Sequence, residues 1–239
     1  MTRYRLNLKL ERIIVMVTDL SLLRLLQLVS PSLPIGMYSY SQGLESAIDD
    51  HLVGTAEHTH GWLKGMMRYS LMPTDLAILS RLYLAWQQQD LDNVKHWSQT
   101  LNAFRETSEL RAEDRQTGQA LAKLLGKLDL VEAEAWQRSP EATLATLFSL
   151  AAVRWQIELR TCLIGYCWGW LENQVLCAIK LVPLGQVAGQ QLLQTLAVEI
   201  PELADTALAL DDAMIGGSTF GLALASSRHE VQYSRLFRS

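Results

Sequence analysis

Residues 74–88 read TDLAILSRLYLAWQQ, and Leu76, Leu79, Tyr83 and Trp86 recur in it at steps of three and four. On a helix that spacing lines them up as one buried stripe. Strict alternation is absent, so the stretch predicts an amphipathic helix and not a strand. Upstream, residues 55–69 carry the same helical pattern. Pro73 separates the two segments and predicts a break, because proline has no N–H and crowds the preceding turn. Leu20, Leu22, Leu23, Leu25 and Leu26 predict a first helix that Pro31 and Pro34 stop. Downstream, residues 92–128 predict one long helix with a break near Gly118. Ser139-Pro140-Glu141 has the composition of a helix start. Further helices are expected to about Trp155, from Glu158 to Leu181, and from Pro183 to about Val198. No stretch alternates as a strand does, and no hairpin dipeptide occurs. The expected fold is all-α: a single compact multi-helix domain over residues 21–239, of roughly eight to ten helices, following the helical period. Residues 1–20 are expected to be a flexible extension, and residues from about 210 to 239 a docking tail.

The 239-residue chain is 49% hydrophobic and 19% charged, and a chain of that length buries about 70–75% of its unfolded surface without staples. Its net charge of −4 gives no basic excess to attract phosphate backbones, so no nucleic-acid partner is expected. Cys162, Cys167 and Cys177 are odd in number and lack C-x-x-C spacing, as reduced core thiols of a cytoplasmic protein do. At the N-terminus, the apolar run Ile13–Val17 is shorter than the about 7–15 residues of a secretory signal. Residues 1–15 read as an extension or a misplaced start. The apolar run Thr161–Leu171 falls short of the ~18 residues of a membrane helix, so no membrane association is expected.

Several segments have compositions that bear on chemistry. GGSTFG at 216–221 resembles a phosphate loop or nucleophile elbow, but no lysine follows Lys180 and Phe220 stands where a second glycine would be. It reads as a plain glycine-rich loop. His51, His58 and His60 lie near Glu57, yet residues two apart on a helix face opposite ways, so no metal site is assigned. In the run 105–115, Arg105–Glu109 is a favourable pair four apart, whereas Glu109–Glu113 and Arg111–Arg115 repel. Such a stripe is tolerated where it meets complementary charge on another helix or chain. The pairs Gly61–Gly65, Gly165–Gly169 and Gly185–Gly189 predict close helix packing, within the chain or in a dimer. Lys180, at the end of an apolar helix, suits the macrodipole and is also placed as a charge at a rim.

Between the first two helices lies SPSLPIGMYSYSQGLE, Ser30–Glu45. Ser39 and Gln42 fit a capping box for the following helix. If Met37–Ser41 is extended, Tyr38 and Tyr40 share one face. The loop then presents Tyr38 and Glu45 for contact, with no adjacent acid–base pair for catalysis. The last twelve residues hold Arg228, Arg235 and Arg238 against one Glu230. Their apolar Val231, Tyr233, Leu236 and Phe237 gain nothing from exposure on a free tail. The expectation is a partner-docking tail whose removal leaves the fold nearly unchanged.

Together these segments resemble the urease accessory protein UreF family. The matching residues are Ser30–Gly36, Tyr38–Glu45, Arg105-Glu106-Thr107 with Glu109-Leu110-Arg111, Lys180–Gln186, and His229–Ser239. The resemblance runs in order from about Leu22 to the end. It implies a non-enzymatic, all-α helper in loading nickel into urease, without a cofactor, that forms a homodimer. The implied partners are the accessory protein UreD (also called UreH), the GTPase UreG and apo-urease, with GTP hydrolysis coupled to metal delivery. Lys180 matches a position implicated in communication with UreG, and the tail resembles a segment that docks on UreD. The partner-binding residues expected on these grounds are Tyr38, Ser39, Gln42, Glu45, Lys180, Gln186, Arg228, His229, Glu230, Tyr233 and Arg235; catalytic and metal-binding residues are not assigned. Two alternatives remain at this point: an all-α enzyme with a Glu45/Lys180 cleft, and a direct nickel carrier using His51–His60.

Overall fold

A computed structural model describes residues 19–239; the expected extension at 1–20 lies almost wholly outside the described residues. Among them every regular element is helical. The order is α1 (Asp19–Leu28), α2 (Leu44–Asp49), α3 (Ala56–Met66), a π-helical stretch (Met67–Leu76), α4 (Ala77–Gln88), α5 (Leu91–Ala103) and α6 (Ser108–Lys127). Then follow α7 (Leu144–Arg154), α8 (Leu159–Leu181), α9 (Gln186–Ala197), α10 (Ile200–Ala209) and α11 (Phe220–His229).

The stripe on residues 74–88 forms the centre. Leu76, Leu79, Tyr83 and Trp86 are buried, and α4 packs against α5, α7 and α10. The two polar tips on this stripe are satisfied within the core: Tyr83 donates to Ile157 O at 2.9 Å, and the Trp86 indole to Thr146 O at 3.0 Å. Pro73 does not break the chain as expected. It sits inside the π-helical stretch that joins α3 to α4 as one rod. A π turn widens the helix where proline contributes no N–H and would crowd the turn before it. The glycine-rich loop crosses this point: Gly216 N donates to Pro73 O at 2.9 Å. A Cβ on Gly217 would stand 2.5 Å from Tyr69 O and 2.7 Å from Pro73 Cγ. That glycine therefore permits a backbone crossing.

Two other boundaries differ from the sequence reading. The long helix breaks at residues 104–107, not at Gly118, where Thr107 caps α6 by accepting from Leu110 N. Gly118 instead lies mid-helix, with Thr143 backbone atoms 2.5–2.9 Å from where its Cβ would be. The start signal at Ser139 makes only a local turn, with Ser139 Oγ accepting from Glu141 N. Helix α7 begins after Thr143, whose side chain accepts from Thr146 N. Gly165 and Gly169 do admit a neighbour, since α1 crosses there with Leu25 and Val29 against them. Gly61 and Gly65 face open space. A second, smaller apolar cluster gathers Leu44, Ala47, Val53, Cys177, Ala178, Val182 and Ala225 around Phe237 of the tail. No helix of the described residues is long and apolar enough to cross a membrane.

Candidate functional site

The loop at 30–45 is not extended. Met37–Ser39 is a 3₁₀ turn entered through Gly36, and Tyr40 takes an extended conformation at its exit. Tyr38 and Tyr40 consequently part: Tyr38 is 62% exposed and Tyr40 is buried, its hydroxyl donating to Gln116 Oε1 at 2.8 Å. Nor do Ser39 and Gln42 form a capping box. The N-cap of α2 is Gly43, at φ +75°, without a side-chain cap bond; Ser41 Oγ accepts from Glu45 N at 3.3 Å. Positive φ and the Ser226 backbone nitrogen, 3.0 Å from a Cβ position, both favour glycine at 43. Gln42 turns inward, donating to Glu113 Oε1 at 2.8 Å and accepting from the Trp170 indole at 2.7 Å.

Glu45 is not presented to solvent. It is buried, and its carboxylate accepts from Leu236 N at 2.7 Å and Phe237 N at 2.8 Å. The tail continues along this seam. Arg238 N donates to Ser39 O at 2.8 Å, and Ser41 N donates to Ser239 O at 2.9 Å. Ser239 Oγ bonds Glu113 Oε2 at 2.7 Å. Phe237 is buried, with Lys180 Nζ 5.5 Å from its ring centroid. Glu45 and Lys180 thus both contact Phe237 of the tail.

The charged run finds its complement here. Arg105 lies outside any helix and makes no pair with Glu109; it binds Asp75 at 2.5 Å and Asp114 at 2.9 Å. Glu109 receives Arg235 at 2.5 Å and faces His229 Nδ1 at 2.6 Å. Buried His229 turns its other nitrogen to Glu45 Oε2 at 3.4 Å. The expected Glu109–Glu113 repulsion is answered by tail groups of the same chain. Glu230 covers the start of α6, accepting from Ser108 N at 2.7 Å and Glu109 N at 3.2 Å. The Ser108 hydroxyl, its foremost partner, and these amides hold the Glu230 carboxyl below its ordinary value. Arg228 pairs with Asp50 at 2.6 Å.

Burial pushes Glu113 up to about 7, against the lowering effect of its Gln42 and Ser239 bonds. Behind Gln42 and Glu113 lies a cavity of about 90 Å³ that Tyr38, Arg105 and Glu172 also line. Burial also raises the three thiols, Cys162 furthest and Cys167 and Cys177 to about 12, so they are core groups. Among the described residues no three His, Cys, Asp or Glu side chains stand where they could share a metal ion.

The structure therefore brings Ser39, Gln42, Glu45, Lys180, His229, Glu230 and Arg235 together around one tail. Tyr38 stands apart on the cavity rim, and Gln186 is exposed in the first turn of α9. Sequence reasoning missed Ser41, Asp75, Asp114 and the tail-holding role of Glu113; the like-charge spacing of 105–115 was the one signal of them. Beyond the seam, Val231, Tyr233 and Leu236 project 84%, 103% and 65% exposed from backbone fixed on both sides.

A family model for UreF matches residues 53–197. The urease accessory protein UreF of Alkalilimnicola ehrlichii is 54% identical over 216 residues, covering 90% of this chain and 95% of that protein. Those of Hahella chejuensis and Pseudomonas putida are 45% and 47% identical, covering 92% and 93% of this chain and 99% of each relative. With identity sustained over nine-tenths of its length, the chain belongs to the UreF family.

Proposed function

We propose that this protein is a urease-maturation adaptor that links UreD to the GTPase UreG and supports GTP-dependent nickel insertion into apo-urease. Family membership supports the role in urease maturation, and one structural observation supports the adaptor reading. The tail is seated on the body while Val231, Tyr233 and Leu236 face solvent. Large apolar groups on pre-ordered backbone lose little entropy on association, which is what a protein-docking surface requires. Exposed Lys180 and Tyr38 extend the surface toward a second partner, and a homodimer within the complex fits the same role. The reading places the work in the cytoplasm and gives no residue of this chain a catalytic task.

The test is co-purification of the full chain with UreD, with and without UreG, beside urease activation. Tyr233→Ala should weaken UreD capture at least tenfold, and Lys180→Ala should lower activation while UreD is still bound. Normal capture and activation by both variants would overturn the assignment.

A further inference from the structure

The seat of the tail contains a chemical asymmetry. Three glutamates hold residues 235–239, but they are not equivalent. Glu109 has Arg235 and His229 beside it, and Glu45 has His229 and two backbone amides. Glu113 has only the Gln42 amide and the Ser239 hydroxyl on its carboxyl oxygens. Among the described residues no cation forms an ion pair with it. The guanidinium that acts on it, Arg105, is committed to Asp75 and Asp114, and Asp114 opposes a second charge.

The remaining ionisable groups do not redress this. Tyr40 is neutral over the physiological range and is itself raised, chiefly by burial, with Glu113 contributing. Buried Tyr166, raised by burial, lies in the same field as Glu113 and Asp114. From α8, Lys180 acts on the Cys177 thiol, which Glu45 and Glu113 also face, but its ammonium lies over the Phe237 ring. From the tail, Arg238 bonds Tyr40. Ionising Glu113 therefore places a carboxylate in a part-buried site without a paired cation, a costly state unless water enters. Of the walls around it, α6 and the 40–45 segment are built into the core. The movable wall is Ser239 with the four residues before it.

We propose that Arg235–Ser239 is a strap, held most firmly while Glu113 is uncharged and loosened when Glu113 ionises, so that rising pH increases the population in which the groove between Ser39, Glu45 and Glu113 is open. In the seated form Glu113 keeps its proton, Oε1 accepts from Gln42 and Oε2 accepts from Ser239 Oγ. In the released form the carboxylate is hydrated and Glu45 is freed from Leu236 N and Phe237 N. The readout concerns motion within the isolated chain, so its failure would leave the adaptor reading intact.

Amide hydrogen exchange on the full chain tests this, expressed as protection factors so that the intrinsic pH dependence cancels. Protection at Leu236, Phe237 and Arg238 should fall at least tenfold between pH 6 and pH 8. Glu113→Gln keeps both hydrogen bonds without a titrating proton and should retain its pH 6 protection at pH 8. Flat protection in the unmodified chain, or the same fall in Glu113→Gln, overturns the proposal. Should Glu113→Gln fail to fold, Gln42→Met serves instead. It removes the donor that favours the charged form and should move the release midpoint upward by at least half a pH unit; an unchanged midpoint overturns the strap.

Discussion

Glu45 carries two backbone amides on one carboxylate, and the side chain that reads as a contact group in sequence is a fastener in the fold. A hydrogen bond to a charged acceptor is worth about 1.5–3 kcal/mol, less where water can replace the partner. Glu45→Ala should therefore lower unfolding free energy by about 2 kcal/mol in urea denaturation; a loss below ~0.5 kcal/mol would mean the amides find water at no cost. Glu113 predicts a pH dependence of stability. Its folded value of about 7 lies above the ordinary 4.5, so the folded state holds the proton more tightly. The stabilisation is complete below pH 4.5 and is lost as pH rises through 7. Urea denaturation should show about 1–3 kcal/mol of stability disappearing between pH 5 and pH 8, and Glu113→Gln should remove most of that slope. A slope unchanged by the substitution would assign it to other groups, such as Asp75, which burial also raises.

At the scale of elements, glycines that look alike in sequence do opposite things. Gly118 lies under the Thr143 backbone, whose atoms come within 2.5 Å of a Cβ position, while Gly61 faces open space. Gly118→Ala should cost more than about 2 kcal/mol by overpacking, and Gly61→Ala should stabilise by up to ~1 kcal/mol through helix propensity. Thermal melting of the pair checks both, and equal effects would contradict the packing. Ser41→Ala should likewise melt lower than Ser39→Ala, because Ser41 holds both Glu45 N and Ser239 O. Helices with a strong periodic stripe or a long apolar run were legible: α4 stands where its stripe places it, and α8 where its apolar run and the Glu158 cap place it. Boundaries that depend on partners were not. Pro73 reads as a break because a π turn has no sequence mark, and Ser139 outranks Thr143 because the Asp114 carboxylate accepting from Leu144 N is thirty residues away. Tyr38 and Tyr40 diverge because a 3₁₀ turn replaces the extended period, and the tail's seat is invisible without its three-dimensional complement. Only the like charges at 109 and 113 hinted at it.

At the scale of the whole molecule, the tail closes the fold: the chain's last residues contact the segment that follows its first helix. The sequence reading, in which the tail can be removed with little effect, does not survive this. Phe237 fills the second apolar cluster, and His229, Arg235 and Ser239 complete bonds to Glu109 and Glu113. Glu230 also covers the first turn of α6. Losing a buried phenylalanine costs about 3 kcal/mol or more, and the stranded carboxylates add to it. Each kcal/mol moves the melting point of a chain this size by about 2–4 °C, so deletion of Arg228–Ser239 should lower Tm by at least about 6 °C. Loss of UreD capture in that deletion would consequently not separate docking from destabilisation. Point changes on the outward side do separate them. Tyr233 and Val231 project from the surface, so Tyr233→Ala and Val231→Ala should leave Tm within about 1 °C, surface substitutions being nearly neutral. Co-purification with UreD should nevertheless fall. If the deletion melts like the intact chain, the seat contributes nothing to stability. If both point variants capture UreD normally, the outward face of the tail is not the docking surface, and the partner must approach from the side of Tyr38 and Lys180.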